Sequence, residues 1–284
     1  MKLFYFRGEN GVANFGDELN LHLWPRLLPG AFDDDDDTQF VGIGTLLNDR
    51  LPAASRTVVF GAGVGYFGPP NPRDTWSIYC VRGPLSARAL GLPSADGITD
   101  PAVLIARLEP QWRPAAQGRW ARAFMPHWQS EPDAWRSLCD NLGIGFIDPR
   151  GQPDAVLDAL GRTDVLITEA MHGAIVADAL RIPWVPVRTR QAINSFKWDD
   201  WCGSLSLEYQ PHQLPTIYPA TNRGVIAGAR RRAKLSLAAA ALRRVAGRAR
   251  PVLSGDTVLR DRIDQLEDRL ERLRRRELRG QETT

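Results

Sequence analysis

Residues 164–180 place a buried strand, a polar turn and a helix in direct succession. Residues 165–167 are a short apolar run of the kind that forms a buried strand. Glu169 and His172 follow it, and apolar residues at helical spacing begin directly after His172. Open α/β folds bind ligands outside the carboxyl ends of their strands, against helix N-termini whose free N–H groups attract anions. His172 is therefore the first candidate for a titratable group in a site.

Strand-like and helix-like segments alternate along most of the chain, which argues for a largely parallel sheet. The predicted strands are residues 3–6, 40–43, 57–60, 77–81, 120–125, 145–147, 165–167 and 184–187. The predicted helices are residues 14–28, 84–90, 131–142, 153–160 and 174–180. Residues 109–118 contain prolines and a glycine and mark a linker. We predict an α/β fold with two Rossmann-like domains, residues 1–108 and 119–222, facing each other across a cleft.

The end of the chain differs in charge, because residues 223–284 hold 17 Lys and Arg against 8 Asp and Glu. We predict a basic helical tail there, and a basic amphipathic helix within residues 223–250 could lie on an anionic membrane surface. A solvated helix without a partner is the alternative. Nucleic acid is not expected as a partner, since no recognition module accompanies the basic residues.

A short heptad seam lies within residues 256–280 and predicts a coiled coil at the short end of the usual length. The seam predicts a homodimer or a partner helix, and its 4-3-4-3 spacing is formed by Leu259, Ile263, Leu266, Leu270 and Leu273.

Composition excludes several classes of protein. No apolar run is long enough for a spanning helix, and the N-terminus lacks the features of a signal peptide. Three widely spaced cysteines form no CxxC pair, so neither a disulfide framework nor a metal site is indicated. We expect a cytoplasmic protein, with a peripheral position on the inner face of the plasma membrane as a further option.

Motifs follow several predicted strands of the first domain. Asp17 opens the first helix, where spacing alone favours helix capping over catalysis. Gly61 and Gly63 do not form a GxGxxG pattern, which favours a close-approach turn beside a ligand over a dinucleotide site. Arg82 stands at a strand end and suits carboxylate or phosphate binding, although most arginines are solvated surface groups.

Two further motifs lie in the second half of the chain. His127 follows the predicted strand 120–125, so it and His172 are expected on the same rim of one sheet. Lys197 and Trp198 lie in a predicted aromatic loop, and tryptophan rings beside polar groups are typical of sugar-binding surfaces. The alternative is a packed loop in which Lys197 forms a salt bridge.

Five short segments carry a family resemblance through their order and spacing: residues 14–18, 61–63, 81–86, 100–102 and 169–173. They resemble the polysaccharide pyruvyl transferase family, and the resemblance covers about residues 1–205. Residues 196–201 further resemble the branch that forms pyruvate ketals on exopolysaccharide repeat units of the succinoglycan and xanthan type. The resemblance implies a two-domain architecture like that of glycosyltransferase-B enzymes.

The same resemblance implies phosphoenolpyruvate as the donor and a sugar, often on a polyprenyl-diphosphate lipid, as the acceptor. No cofactor is implied. The chain departs from the family at Ala170, where many relatives have arginine, and at Gly83, where they often have aspartate. Another cation must then hold the donor, and Arg82 and Lys197 are the candidates.

The chemistry implied by the resemblance assigns roles to the remaining residues. His172 is the expected general acid/base, with Asp17 or Glu169 as its carboxylate partner. The expected substrate-binding residues are Arg82, Lys197, His127, Gly61, Gly63 and Trp198. Two alternatives stay open, which are a nucleotide-sugar-dependent glycosyltransferase of the same fold and a non-enzymatic polysaccharide assembly factor.

Overall fold

A computed structural model of the chain describes residues 1–8, 11–70, 72, 74–108, 120–218 and 225–278, except the side chains of 225–227. Its contacts divide the chain into two compact units. Unit 1 comprises Met1–Leu108, Asn194–Tyr209 and Ser254–Thr284. Unit 2 comprises Glu109–Ile193 and Gln210–Leu253. Each unit combines separate stretches of the chain, whereas the domains predicted from the sequence, residues 1–108 and 119–222, are contiguous.

Strands and helices alternate along the described residues. The strands are β1 (Lys2–Phe4), β2 (Thr38–Val41), β3 (Arg56–Phe60), β4 (Trp76–Cys80), β5 (Ala123–Met125), β6 (Gly145–Phe146), β7 (Leu166–Thr168), β8 (Trp184–Arg188) and β9 (His212–Gln213). The α-helices are α1 (Phe15–Leu27), α2 (Pro84–Ala89), α3 (Ile105–Leu108), α4 (Pro132–Leu142), α5 (Pro153–Gly161), α6 (Met171–Ala179), α7 (Ser195–Ser204), α8 (Val225–Arg248) and α9 (Asp256–Glu277). Short 3-10 helices span Ser94–Asp96 and Pro101–Leu104.

Unit 1 is built on a parallel sheet with the strand order β1-β2-β3-β4. The central strands β2 and β3 are buried at every position after the first, as in a sheet that is covered on both faces. Because all four strands run the same way, the segments that follow them emerge at one edge. The motifs around Asp17, Gly63 and Arg82 therefore share the carboxyl edge of this sheet.

Unit 2 holds a parallel sheet with the order β6-β5-β7-β8-β9. Counted along the chain within this unit, that order is 2-1-3-4-5, the order of flavodoxin-like folds. The topological switch point therefore lies between β5 and β7, where connections leave the sheet toward opposite faces. In folds of this kind ligands bind at the carboxyl ends of the strands beside the switch point.

The predicted α/β class with parallel sheets is confirmed, and every predicted strand and helix overlaps an observed one. The prediction that Lys197 and Trp198 lie in an aromatic loop is wrong, since this segment forms helix α7. Asn194 caps that helix by accepting a hydrogen bond from the Phe196 N–H at 2.9 Å. The glycosyltransferase-B-like arrangement stays a prediction.

The heptad seam of α9 is buried inside unit 1. Its five apolar residues are at most 6% exposed, and α9 packs against β4 and the 3-10 helix Pro101–Leu104. At its end, Glu277 accepts a hydrogen bond from the Tyr79 hydroxyl at 2.7 Å. The seam is thus used within its own unit, which removes the basis of the predicted homodimer through residues 256–280.

Helix α8 belongs to the core of unit 2. Its buried residues Ala238, Leu242 and Val245 lie in the same apolar cluster as Phe124 and Trp135. The two C-terminal helices therefore complete different units, whereas the sequence predicts residues 223–284 as one separate tail. No helix among the described residues is long and apolar enough to span a membrane.

Candidate active site

The switch point of unit 2 gathers both predicted histidines. His127 comes two residues after β5, and His172 is the second residue of α6, which follows β7. Both side chains are half-buried. The residue that precedes α6, Ala170, makes no side-chain cap, so the first N–H groups of this helix receive no capping bond from it. The expectation that the two histidines share one rim is met by the strand order.

Glu169 ties the ends of three neighbouring strands together. Its carboxylate is 1% exposed and accepts hydrogen bonds from the Thr189 N–H at 2.5 Å, the His127 N–H at 3.2 Å and the Arg190 N–H at 3.3 Å. The Thr189 hydroxyl donates to the same carboxylate at 2.8 Å. The structure therefore uses Glu169 as a brace for the loops after β5, β7 and β8, and its predicted pairing with His172 stays untested.

The ring of His127 is oriented by its own loop. Its Nδ1 accepts a hydrogen bond from the Gln129 N–H at 3.3 Å, so Nδ1 carries no proton in this arrangement. An imidazole whose Nδ1 accepts a hydrogen bond has its other ring nitrogen, Nε2, as the donor. Such a group can donate a hydrogen bond to an oxygen of a ligand.

Arg190, which is not among the site residues predicted from the sequence, places a cation beside this loop. Its guanidinium donates to the Gln129 carbonyl at 3.0 Å, and within the described parts of the chain it has no carboxylate partner. Arg150, by contrast, lies four residues after β6 and is paired with both Asp133 and Asp148. The signal that would have found Arg190 is its position two residues after a strand of the same sheet.

Gly173 allows α6 to begin against the sheet. A Cβ at this position would lie 2.7 Å from the Met125 Sδ and 3.0 Å from the Thr168 Oγ1. The Thr168 hydroxyl itself bonds the Met125 carbonyl and the Ala170 N–H, at 3.1 and 3.0 Å. Gly173 therefore has a packing role that fixes the position of the start of α6, and with it the position of His172.

Arg82 lies in the interior of unit 1 and not at an open surface. Its side chain is 0% exposed, and its nitrogens donate to Asp200 at 3.0 Å, to the Thr45 hydroxyl at 2.7 Å and to the Val64 carbonyl at 2.6 Å. A guanidinium with these bonds is committed to the protein. The structure thus gives Arg82 a structural role in place of the expected donor-binding one.

The N-terminus of α2 is occupied by a carboxylate of the protein itself. Asp200 of α7 accepts hydrogen bonds from the Leu85 and Ser86 N–H groups at 2.8 and 2.9 Å, and from the Ser86 hydroxyl at 2.5 Å. Gly83 is required beside it, since a Cβ there would overlap the Asp200 carbonyl. The N-terminus of α2 therefore already binds a carboxylate of the protein, and it is not free to bind an anionic substrate.

Gly61 and Gly63 serve close packing. Gly61 has a φ of +84°, and a Cβ at this position would overlap the Pro101 ring. A Cβ at Gly63 would overlap the guanidinium of Arg82. Both glycines therefore make room for neighbouring protein groups, and this accounts for them without a bound phosphate.

Trp198 is fully buried, which corrects its predicted role as a sugar-stacking residue. It stacks on Tyr209 with centroids 4.7 Å apart and meets Trp201 edge-on at 6.1 Å. The neighbouring Lys197 is half-buried, and its Nζ lies 5.8 Å from the centroid of the Tyr66 ring. Lys197 therefore stays a candidate for substrate binding, whereas Trp198 is a core residue.

Asp17 lies in the first turn of α1 and is 8% exposed. Its Oδ2 accepts a hydrogen bond from Asn14 at 2.6 Å, which fits the helix-start interpretation. It belongs to unit 1 and His172 to unit 2, so their pairing stays a prediction. Among the described residues, no group of three or more His, Cys, Asp or Glu side chains is placed to hold a metal ion.

Comparison with known proteins assigns this architecture to a family. The model of the polysaccharide pyruvyl transferase family matches residues 12–190, more than half of the chain. The chain is also 43% identical to the succinoglycan biosynthesis protein ExoV of Rhizobium meliloti (strain 1021) over 237 residues, which are 81% of this chain and 72% of the relative. No solved structure matches. The chain therefore belongs to the polysaccharide pyruvyl transferase family.

Proposed function

We propose that the protein transfers the pyruvyl group of phosphoenolpyruvate to a sugar of an exopolysaccharide repeat unit, forming a pyruvate ketal on a lipid-linked acceptor. The observation that carries this proposal is that His127, His172 and Arg190 follow the adjacent parallel strands β5, β7 and β8, beside the switch point of unit 2. The relationship to a succinoglycan biosynthesis protein supports an exopolysaccharide as the acceptor. The comparisons favour this activity over a nucleotide-sugar-dependent glycosyltransferase or an assembly factor.

The donor demands cationic and N–H groups, because phosphoenolpyruvate carries a carboxylate and a phosphate. Arg190 can bind either anion through its fork of N–H donors. The start of α6 supplies backbone N–H groups and the positive end of a helix dipole. His127 adds the donor on Nε2. These groups together would fill the role that arginine has in relatives at the position of Ala170.

The reaction requires proton transfers at carbon and at oxygen. A general acid protonates the methylene carbon of the enol, which leaves positive character on the carbon that bears the phosphate. A sugar hydroxyl adds to that carbon, the C–O bond to phosphate breaks, and a second hydroxyl closes the ring. The two hydroxyls release two protons, of which one balances the proton taken up by carbon and the other leaves with phosphate. We assign the acid/base role to His172, with Glu169 as a positioning residue.

The test combines product analysis with one substitution. Incubation with phosphoenolpyruvate and an oligosaccharide from depyruvylated succinoglycan should yield a product heavier by one pyruvate minus water, detected by mass spectrometry. His172→Ala should lower phosphate release by about 10²- to 10⁴-fold, the usual contribution of general acid–base catalysis, while the melting temperature stays unchanged.

Two outcomes would count against the proposal. Near-normal turnover by His172→Ala would exclude the catalytic role of this histidine. Thermal stabilisation by a nucleoside diphosphate but not by phosphoenolpyruvate would favour the glycosyltransferase alternative instead, because a ligand that binds the folded state raises its stability.

A further inference from the structure

The connection after β3 presents two large aromatic side chains to solvent. Tyr66 and Phe67 are 37% and 58% exposed, and their ring centroids lie 6.4 Å apart at a tilt of 47°. We refer to this pair as the aromatic tip. Side chains of this size usually bury most of their surface, so two adjacent exposed rings mark a candidate contact surface.

The backbone of the aromatic tip is held in an unfavourable conformation. Phe67 has a φ of +61°, in the left-handed region that bulky residues rarely adopt. Gly68 follows with a φ of +77°. Strain of this kind persists only where the surrounding structure enforces it, and it concentrates at ligand-binding sites. Because the Phe67 ring is exposed, its burial contributes little stability that could offset the strain. Packing alone therefore does not explain this backbone conformation.

The base of the tip is fixed by hydrogen bonds to other elements. The Val64 N–H donates to the Ser86 hydroxyl at 3.0 Å, and the Val64 carbonyl accepts from Arg82 at 2.6 Å. The Gly65 carbonyl accepts a hydrogen bond from the Asn194 side chain. These bonds explain how the chain can hold the strained tip at the carboxyl edge of the unit 1 sheet.

Two cations border the rings. The Arg50 guanidinium carbon lies 3.5 Å from the Phe67 centroid, and the Lys197 Nζ lies 5.8 Å from the Tyr66 centroid. Contacts of this type fix the orientation of a ring. They also place several N–H donors directly beside an apolar surface.

We propose that the aromatic tip binds one pyranose ring of the acceptor, and this inference rests on the proposed function. A pyranose has an apolar C–H face and a rim of hydroxyl groups. Its apolar face matches the exposed rings of Tyr66 and Phe67, while Arg50 and Lys197 donate hydrogen bonds to its hydroxyls. The small size of the tip and its border of donors suit a single sugar ring better than an extended protein surface.

Phe67→Asn is the decisive substitution, because asparagine tolerates left-handed backbone and removes the ring. We expect the Kd for an oligosaccharide from depyruvylated succinoglycan, measured calorimetrically without phosphoenolpyruvate, to rise by about tenfold. The melting temperature should stay the same or rise, because backbone strain is relieved. A ring with a merely structural role would instead lower the melting temperature.

Two control variants sharpen the test. Phe67→Tyr keeps the ring and should retain the affinity, and Leu21→Ala removes an apolar side chain of unit 1 that is 48% exposed and should change nothing. Wild-type affinity in Phe67→Asn, or no binding of the oligosaccharide by the wild type, would overturn the proposal. Binding that depends on Phe67 without ketal formation when phosphoenolpyruvate is added would refute the proposed function and leave the sugar site standing.

Discussion

Arg190 differs from Arg82 and Arg150 in the group that its guanidinium contacts. Arg82 and Arg150 are paired with carboxylates, whereas the guanidinium of Arg190 bonds a neutral carbonyl within the described residues. An arginine side chain without a carboxylate partner, beside the loop that carries His127, retains its full charge for an incoming anion. We propose that Arg190 takes the place of the arginine that the family resemblance implies at the position of Ala170.

Arg190→Gln should raise the KM for phosphoenolpyruvate by about tenfold to a hundredfold, because a charge-assisted hydrogen bond contributes roughly 1.5–3 kcal/mol. The KM for the acceptor should stay unchanged. Arg162→Gln is the matched control, since this exposed arginine pairs with Asp158 on the surface of the same unit. Steady-state kinetics with varied donor checks the prediction, and an unchanged donor KM in Arg190→Gln would remove Arg190 from the site.

A second substitution tests the compensation directly. Ala170→Arg, introduced into the Arg190→Gln background, restores an arginine where many relatives have one. We expect part of the lost donor affinity to return, because the new guanidinium would stand beside the start of α6. Arg190→Lys should retain part of the affinity on its own, since it keeps the charge and loses only the fork of donors.

At the scale of elements, helix α7 holds unit 1 together through its polar residue Asp200. Asp200 caps α2 and neutralises Arg82, and the side chains of both Asp200 and Arg82 are 0% exposed. A buried pair of this kind contributes little relative to an apolar replacement, but removal of one partner is strongly unfavourable. The stability of unit 1 therefore depends on a contact between residues more than a hundred positions apart.

Asp200→Asn should lower the free energy of unfolding by about 2–4 kcal/mol, because the amide leaves the Arg82 charge uncompensated and turns an N–H donor toward other donors. Guanidinium titrations followed by tryptophan fluorescence measure the change, with Trp198 and Trp201 of α7 as reporters within unit 1. Asp199→Asn changes the exposed neighbouring residue of the same helix and should stay within about 0.5 kcal/mol of the wild type. Equal stability of both variants would show that the pair does not support the unit.

The elements were predictable from the sequence to a greater extent than the site. Apolar periodicity is a local signal, so it located every strand and helix to which it was applied, and the strand-end rule correctly placed His127 and His172 at one edge of the sheet. Helix α7 was missed because its buried positions include Asp200 and Ser204, which interrupt any apolar pattern. The burial of Arg82 depends on long-range contacts that residue type and spacing do not encode, and the same holds for Trp198.

At the scale of the whole molecule, positive charge is concentrated on helix α8. Residues 223–255 contain no acidic residue, and the apolar side of α8 is buried in unit 2. Its exposed residues include a set of basic side chains: Arg230, Arg232, Lys234, Arg243, Arg244 and Arg248. Two exposed apolar groups accompany them, Leu237 at 63% and Tyr218 at 59%. This surface suits electrostatic binding to an anionic membrane. Insertion of α8 as an amphipathic helix is not favoured, because its apolar side is already buried in unit 2.

A peripheral position would bring the protein to the lipid-linked acceptor that we propose. We expect it to bind vesicles of phosphatidylglycerol and phosphatidylcholine but not vesicles of phosphatidylcholine alone. Binding should weaken with salt, since the screening length falls from about 10 Å at 0.1 M to about 3 Å at 1 M.

Reversal of Arg243 and Arg244 to glutamate should lower the affinity at least about tenfold, because each basic residue near the surface contributes about 1 kcal/mol. The same reversal at Arg275 and Arg276, exposed on the mixed-charge helix α9, should have a smaller effect. Vesicle sedimentation distinguishes the cases, and equal loss in both double variants would show that net charge alone, not the α8 surface, governs the interaction.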